Sequence, residues 1–170
     1  LIVTPGSLIP RKGQRLVMEA LPQLPDVRLA LAGEGEDERD LRALAESLGV
    51  DERVHFLGQV GHDLLPHLLC AADVLVLPSA SEGLANVWIE GLACGTPIVI
   101  PDIGGAREVV QDPSAGRLAQ RTPAAIAEAV RDILADPPGQ EQVSANVTRF
   151  SWGVNAANLV RFWRAVLDGD

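Results

Sequence analysis

Two carboxylates and one ammonium carry the chemistry that can be read from this sequence. Glu82 and Glu90 lie eight positions apart in the stretch Pro78-Ser79-Ala80-Ser81-Glu82-Gly83-Leu84-Ala85-Asn86-Val87-Trp88-Ile89-Glu90. On a helix that spacing is about two turns, roughly 12 Å, near the reach from a nucleotide's ribose to a sugar beyond its diphosphate. A carboxylate accepts two hydrogen bonds from a vicinal diol, so ribose and hexose hydroxyls suit both acids. Between them, Gly83 to Val87 reads as the opening of a helix whose free N–H groups can hold a diphosphate. A competing reading fits the same residues: Ser79-x-x-Glu82 matches a capping box, and Glu90 matches an exposed helix acid. Lys12 is the only lysine of the chain, in Gly6-Ser7-Leu8-Ile9-Pro10-Arg11-Lys12-Gly13. An ammonium between glycines at a helix start suits a phosphate oxygen. A solvated lysine in a turn fits equally well.

Other chemistries find less support. Gly33-Glu34-Gly35 resembles a dinucleotide fingerprint, but the third glycine that pattern needs is replaced by Glu38. A tight strand-to-helix turn accounts for it, and such a turn still brings backbone close to a ligand. Gly104-Gly105-Ala106-Arg107-Glu108 is a further loop where paired glycines admit a ligand, or else a turn before a short helix. His55, His62 and His67 lack metal-ligand spacing, and no metal site is expected. Cys70 and Cys94 each sit in an apolar segment and read as reduced core thiols of a cytoplasmic protein. Asp168-Gly169-Asp170 is the only D-x-D, at the very end of the chain. Neither a P-loop nor a G-x-S-x-G elbow occurs.

These loops need a scaffold, and the apolar pattern supplies one. Continuous apolar runs at Leu1 to Thr4, Val27 to Ala32, Val54 to Leu57, Val74 to Leu77 and Pro97 to Ile100 read as strands, with a short sixth near Gly116 to Ala119. Segments with helical spacing alternate with them: Leu16, Val17, Ala20 and Leu21; Leu41, Leu44, Ala45 and Leu48; Leu64 to Ala72; Asn86 to Ala93. Two or three helices close the chain, the first with Ile126, Val130, Ile133 and Leu134 on one face. The last carries Leu159, Val160, Trp163, Val166 and Leu167, and either caps this domain or reaches toward a partner. Strands buried on both faces and alternating with helices predict an α/β fold: a doubly wound parallel sheet of about six strands with helices on both faces. The 170 residues suit one domain, and 47% hydrophobic against 22% charged residues exclude a disordered tail. A formal net charge of −9 argues against nucleic acid or an anionic membrane surface as partner. Asp73 interrupts the longest apolar run, so no membrane span is expected, and no signal-peptide pattern opens the chain. Leu1 begins inside a strand pattern without a methionine, which leads us to expect a piece of a longer chain.

In order along the chain, Gly6…Lys12-Gly13, Gly33-Glu34-Gly35, Val54…Phe56-Leu57-Gly58, Asp73-Val74…Leu77-Pro78-Ser79, Glu82-Gly83, Glu90…Ala93-Cys94-Gly95-Thr96-Pro97 and Gly104-Gly105…Glu108 resemble the C-terminal half of GT-B glycosyltransferases, closest to family 4, also called group 1. The resemblance runs from about Leu1 to Trp152. It implies a Rossmann-like donor domain over residues 1–170 that binds a nucleotide-diphosphate sugar for retaining, metal-independent hexosyl transfer. Lys12 and Glu82 would be the catalytic pair, with Lys12 on the diphosphate and Glu82 by the transferred sugar. Glu90 would hold the ribose, and the backbone of Gly83, Leu84, Ala85, Asn86 and Val87 would face the distal phosphate and sugar. Gly6 and Ser7 would line the donor site, and Gln59 and Val60 would line the base. No metal or other cofactor is implied. The acceptor would be bound mainly by an N-terminal domain not contained in these residues, with at most peripheral membrane contact through that half. Ser7 stands where many members carry an arginine, and Leu84-Ala85-Asn86 replace the usual glycine-aromatic-glycine. A non-catalytic nucleotide-binding or docking module and a nucleotide-sugar epimerase are the alternatives. A dehydrogenase half is disfavoured by the first loop.

Overall fold

The computed structural model describes residues 1–168. Six strands form one parallel sheet: β1 (Ile2–Pro5), β2 (Leu29–Ala32), β3 (Val54–Phe56), β4 (Val74–Val76), β5 (Ile98–Ile100) and β6 (Gly116–Leu118). Their spatial order is β3-β2-β1-β4-β5-β6. Thr4 pairs with Leu31 on one side of β1, and Val3 with Leu75 on the other. The doubly wound parallel sheet expected from the apolar runs is therefore present. The chain winds outward from β1 to β3, then returns to the opposite side of β1 with β4. That reversal opens a crevice at the carboxyl ends of β1 and β4, where sheets of this kind receive ligands.

Alternation along the strands builds two cores. Ile2, Leu29, Leu31, Val74, Val76 and Val99 face one layer, which contains α1 (Gln14–Ala20), α2 (Glu38–Ser47) and α6 (Pro123–Ala135). Val3, Leu75, Leu77, Ile98 and Ile100 face the other, against α3 (Leu65–Ala71), α4 (Asn86–Ala93), α5 (Ala106–Val109) and α7 (Gln140–Ala145). The two-residue period of a strand sends neighbours to opposite faces, so a strand buried on both must be apolar throughout. Trp88 on α4 is wholly buried in the second core. Thr122 caps α6 by accepting from the Ala125 N–H at 3.3 Å, with Pro123 in the first turn.

Two expectations need correction, and one of two alternatives falls. Leu134 is exposed, because the buried stripe of α6 passes through Ile126, Val130 and Ile133 and leaves the following position outward. Cys70 is exposed and Cys94 only half-buried, so neither is a core thiol. Among α3 residues only Leu69 is fully buried, and Cys70 follows it on the solvent side. The final helix, α8 (Trp152–Asp168), does not cap the domain: every one of its residues is exposed. No helix among the described residues is long and apolar enough to cross a membrane. Of Asp168-Gly169-Asp170, the last two residues lie outside those described.

Candidate functional site

The loops after β1 and β4 meet over the crevice and are tied together by hydrogen bonds. The Ala80 N–H donates to the Arg11 carbonyl at 2.7 Å, and the Arg11 guanidinium donates to the Ser81 carbonyl at 2.7 Å. Buried Gln14, at the start of α1, holds the Ser7 carbonyl at 2.9 Å. From the far side, Arg121 donates to the Pro78 carbonyl at 2.8 Å. The loop after β5 leans on the same turn, with the Gly105 N–H donating to the Gly83 carbonyl at 2.9 Å. Gly104 adopts φ +49°, and a Cβ there would run into the Glu82 and Gly83 carbonyls. The paired glycines after β5 thus let one loop pack on another; they do not line the cleft.

Within this frame the Lys12 ammonium donates to Glu82 Oε1 at 2.7 Å, and Arg11 lies 3.5 Å from the same oxygen. Residues seventy positions apart in sequence are thereby brought into one ion pair, whose side chains are only 17% and 13% exposed. Burial raises the Glu82 carboxyl, but the hydrogen bond and charge of Lys12, with the charge of Arg11, outweigh it and hold Glu82 below the usual glutamate range. Glu82 is a carboxylate at neutral pH. Of Lys12's three N–H donors, one is used by Glu82 and the others remain for a ligand.

The crevice itself is a cleft of about 660 Å³. Its walls include Gly6, Ser7 and Lys12 after β1, Gln59 and Val60 after β3, and Glu82, Ala85, Asn86, Val87 and Glu90 after β4. Ten residues singled out from sequence therefore share one cavity, while Gly83 and Leu84 do not line it. The reason is local. Helix α4 begins at Asn86, behind an extended Ala85 with φ −72° and ψ 123°, so Gly83 and Leu84 belong to the preceding loop. The same start removes the capping-box reading, since Ser79 is seven residues ahead of the first helical turn. No side chain caps α4, so the N–H groups of its first residues, Asn86 and Val87, which line the cleft, have no partner within the helix. Glu82 and Glu90 consequently do not ride on one continuous helix; Glu82 is fixed by the loop and Glu90 by α4.

Sequence reasoning missed Glu34, His62 and Leu65, which also line the cleft. They arrive through the loops after β2 and β3, joined by an antiparallel bridge between Gly33 and Gly58. Gly33 packs so closely on the Gly6 carbonyl that a Cβ would collide with it. Glycine there is a packing requirement, consistent with the tight-turn reading of Gly33-Glu34-Gly35. Among the described residues no group of three or more metal-ligating side chains occurs. Burial and the neighbouring Cys70 thiol push Cys94 up to about 11, which keeps it a protonated thiol at neutral pH.

A parallel α/β sheet with a cleft at its reversal point, lined by a half-buried Lys–Glu pair and an uncapped helix start, defines a domain of the doubly wound class with a candidate ligand cleft. The family of group 1 glycosyl transferases matches residues 1–150, and the chain belongs to that family. It is 39% identical over 148 residues to a GDP-mannose-dependent alpha-(1-6)-phosphatidylinositol monomannoside mannosyltransferase of Mycolicibacterium smegmatis, covering 80% of this chain and 39% of that protein. It is 35% identical over 181 residues to a D-inositol 3-phosphate glycosyltransferase of Geodermatophilus obscurus, covering 96% and 40%. Among solved structures, sucrose-phosphate synthase from Thermosynechococcus elongatus superposes with a TM-score of 0.81 at 30% identity, covering 99% of this chain and 46% of that one. The Anabaena protein HepE, in complex with UDP and glucose, gives 0.82 at 26%, covering 99% and 48%. The chain thus spans less than half the length of these relatives.

Proposed function

We propose that this chain is the donor-binding domain of a glycosyltransferase and that its cleft takes a nucleotide-diphosphate sugar. The observation that carries the reading is the convergence of Lys12, Glu82, Glu90 and the open start of α4 on one cavity at the sheet's reversal point. The diphosphate lies against Lys12 and the N–H groups of Asn86 and Val87, which take up the charge that develops as it departs. Glu90 accepts from the ribose hydroxyls. Glu82, held ionised by Lys12, stands by the transferred hexosyl group. Transfer is retaining and needs no metal, because these fixed cations and dipoles do the work of one. Relatives named for GDP-mannose and a structural neighbour solved with UDP and glucose both support a nucleotide-linked donor. The acceptor is bound mainly by a domain outside these residues.

Isothermal titration of the chain with UDP, GDP and ADP, without metal, tests this beside Glu90→Ala. Binding of a nucleotide that weakens at least tenfold in the variant supports the reading. Folded protein that binds none of them up to millimolar contradicts it. A docking module without a donor site is the second reading, favoured by one observation, the exposed apolar face of α8; it predicts no dependence on Glu90.

A further inference from the structure

Three acids line the cleft, and only one of them is paired. Glu82 holds Lys12, whereas the carboxylates of Glu34 and Glu90 have no hydrogen bond or ion pair among the described residues. With one ammonium against three carboxylates, the cleft walls carry a net negative charge, the wrong sign for an anionic ligand. Both unpaired acids are exposed, so their oxygens are free to accept from a ligand's donors. On the donor-site reading above, on which this inference rests, Glu90 accepts from the ribose hydroxyls. Glu34 is left for a donor elsewhere on the nucleotide, and its position says where.

The bridge between Gly33 and Gly58 sets Glu34 beside the segment that continues into Gln59 and Val60. A Cβ built on Gly58 would lie 3.5 Å from Glu34 Oε1, so the carboxylate rests over the start of that segment. Lys12 and Glu82 approach from the loops after β1 and β4 instead. Glu34 therefore stands on the β2–β3 side of the cleft, beside Gln59 and Val60, the residues that line the base on the donor-site reading. The free edges of the bases differ in what they offer a carboxylate. Guanine presents two adjacent donors, N1–H and the N2 amino group, matched to the two oxygens of one carboxylate. Uracil presents N3–H flanked by two carbonyl oxygens, and adenine an amino group flanked by ring nitrogens; in both, acceptors face the carboxylate and repel it. We infer that Glu34 is the residue that reads the base and that it selects guanine, accepting from N1–H and N2.

Inosine diphosphate separates this contact from all others, because it differs from GDP only in lacking the N2 amino group. A bidentate pair of this kind discriminates by roughly tenfold to a hundredfold. The 170-residue chain is titrated calorimetrically with GDP, IDP, UDP and ADP, as wild type, Glu34→Ala and Glu90→Ala. Circular dichroism melting checks that the variants are folded. The expected result is that GDP binds about tenfold more tightly than IDP and that both exceed UDP and ADP. Glu34→Ala should then abolish the GDP–IDP difference while UDP affinity stays constant or rises, since a repelling charge is gone. Equal affinities for GDP and IDP, or a Glu34→Ala effect equal on all four ligands, overturn the role of Glu34 while Glu90-dependent binding leaves the donor site standing. Absence of binding by all four, or affinities that ignore Glu90→Ala, overturn the donor site and the inference together.

Discussion

Glu82 and Trp163 both lie outside the hydrophobic core, yet the structure treats them in opposite ways. Glu82 sits in a loop that lacks regular structure, and it is nevertheless fixed: Lys12 and Arg11 approach its carboxylate, and the turn around it is bonded to the loops after β1 and β5. Trp163 sits in a regular helix of 17 residues, and nothing holds it. It is 54% exposed, as Trp152 is at 87% and Leu167 at 81%, and its ring meets that of Phe162 edge to face within the same helix. Helical periodicity organised the apolar face of α8 but gave it nothing to bury against within residues 1–168. Order in this molecule follows satisfied contacts rather than secondary structure. An irregular loop becomes a precise site when its polar groups are cross-bonded between sheet strands.

Substitutions on either side test that contrast. The largest effect is expected at Trp88, which lies under the start of α4 in the second core and is wholly buried. Trp88→Ala should lower unfolding free energy by about 3–5 kcal/mol in urea titrations, from lost burial and the cavity left behind. Next comes Lys12→Ala, which removes a charge-assisted contact and should weaken nucleoside diphosphates roughly tenfold to a hundredfold while leaving nucleosides almost unchanged. Equal losses for both would remove the phosphate role. A smaller effect is expected at Glu82→Gln, and its sign follows from the lowered carboxyl. The unfolded state binds the proton more readily than the folded one, so the pair's stabilisation is present above the usual glutamate range and is lost as pH falls through the folded value. The wild type should exceed the variant by about 1 kcal/mol or less near neutrality, and the two should converge in acid. Last is Trp163→Ala, which should change the stability of this chain by no more than about 0.5 kcal/mol. A loss near that of Trp88 would mean that α8 is bound after all.

The strands were legible because burial on both faces demands unbroken apolar runs, as at Val74 to Leu77 and Ile98 to Ile100. Their ends were less so: Val27 and Arg28 precede β2, whose register with β1 begins at Leu29 opposite Ile2. The start of α4 at Asn86 was readable, but Gly83 and Leu84 were drawn into it because sequence spacing does not show that Gly83 is engaged by Gly105. Cys70 was misjudged because an apolar stretch was taken for a buried one, while α3 turns only Leu69 fully inward. Lys12 and Glu82 were recognisable one by one; their ion pair was not, because it depends on β1 and β4 lying side by side. Glu34 and His62 were noted only as part of a glycine turn and as a rejected metal ligand, for the same reason: the cleft exists only where the loops after β1, β2, β3 and β4 converge.

The most direct test of the account is a map of amide chemical shifts in the chain as GDP is added without metal. Perturbations confined to the loops after β1, β2 and β3 and to Ala85 through Glu90, with α8 silent, are the predicted result. Shifts concentrated in α8, or on the face away from the carboxyl ends of the strands, would contradict it.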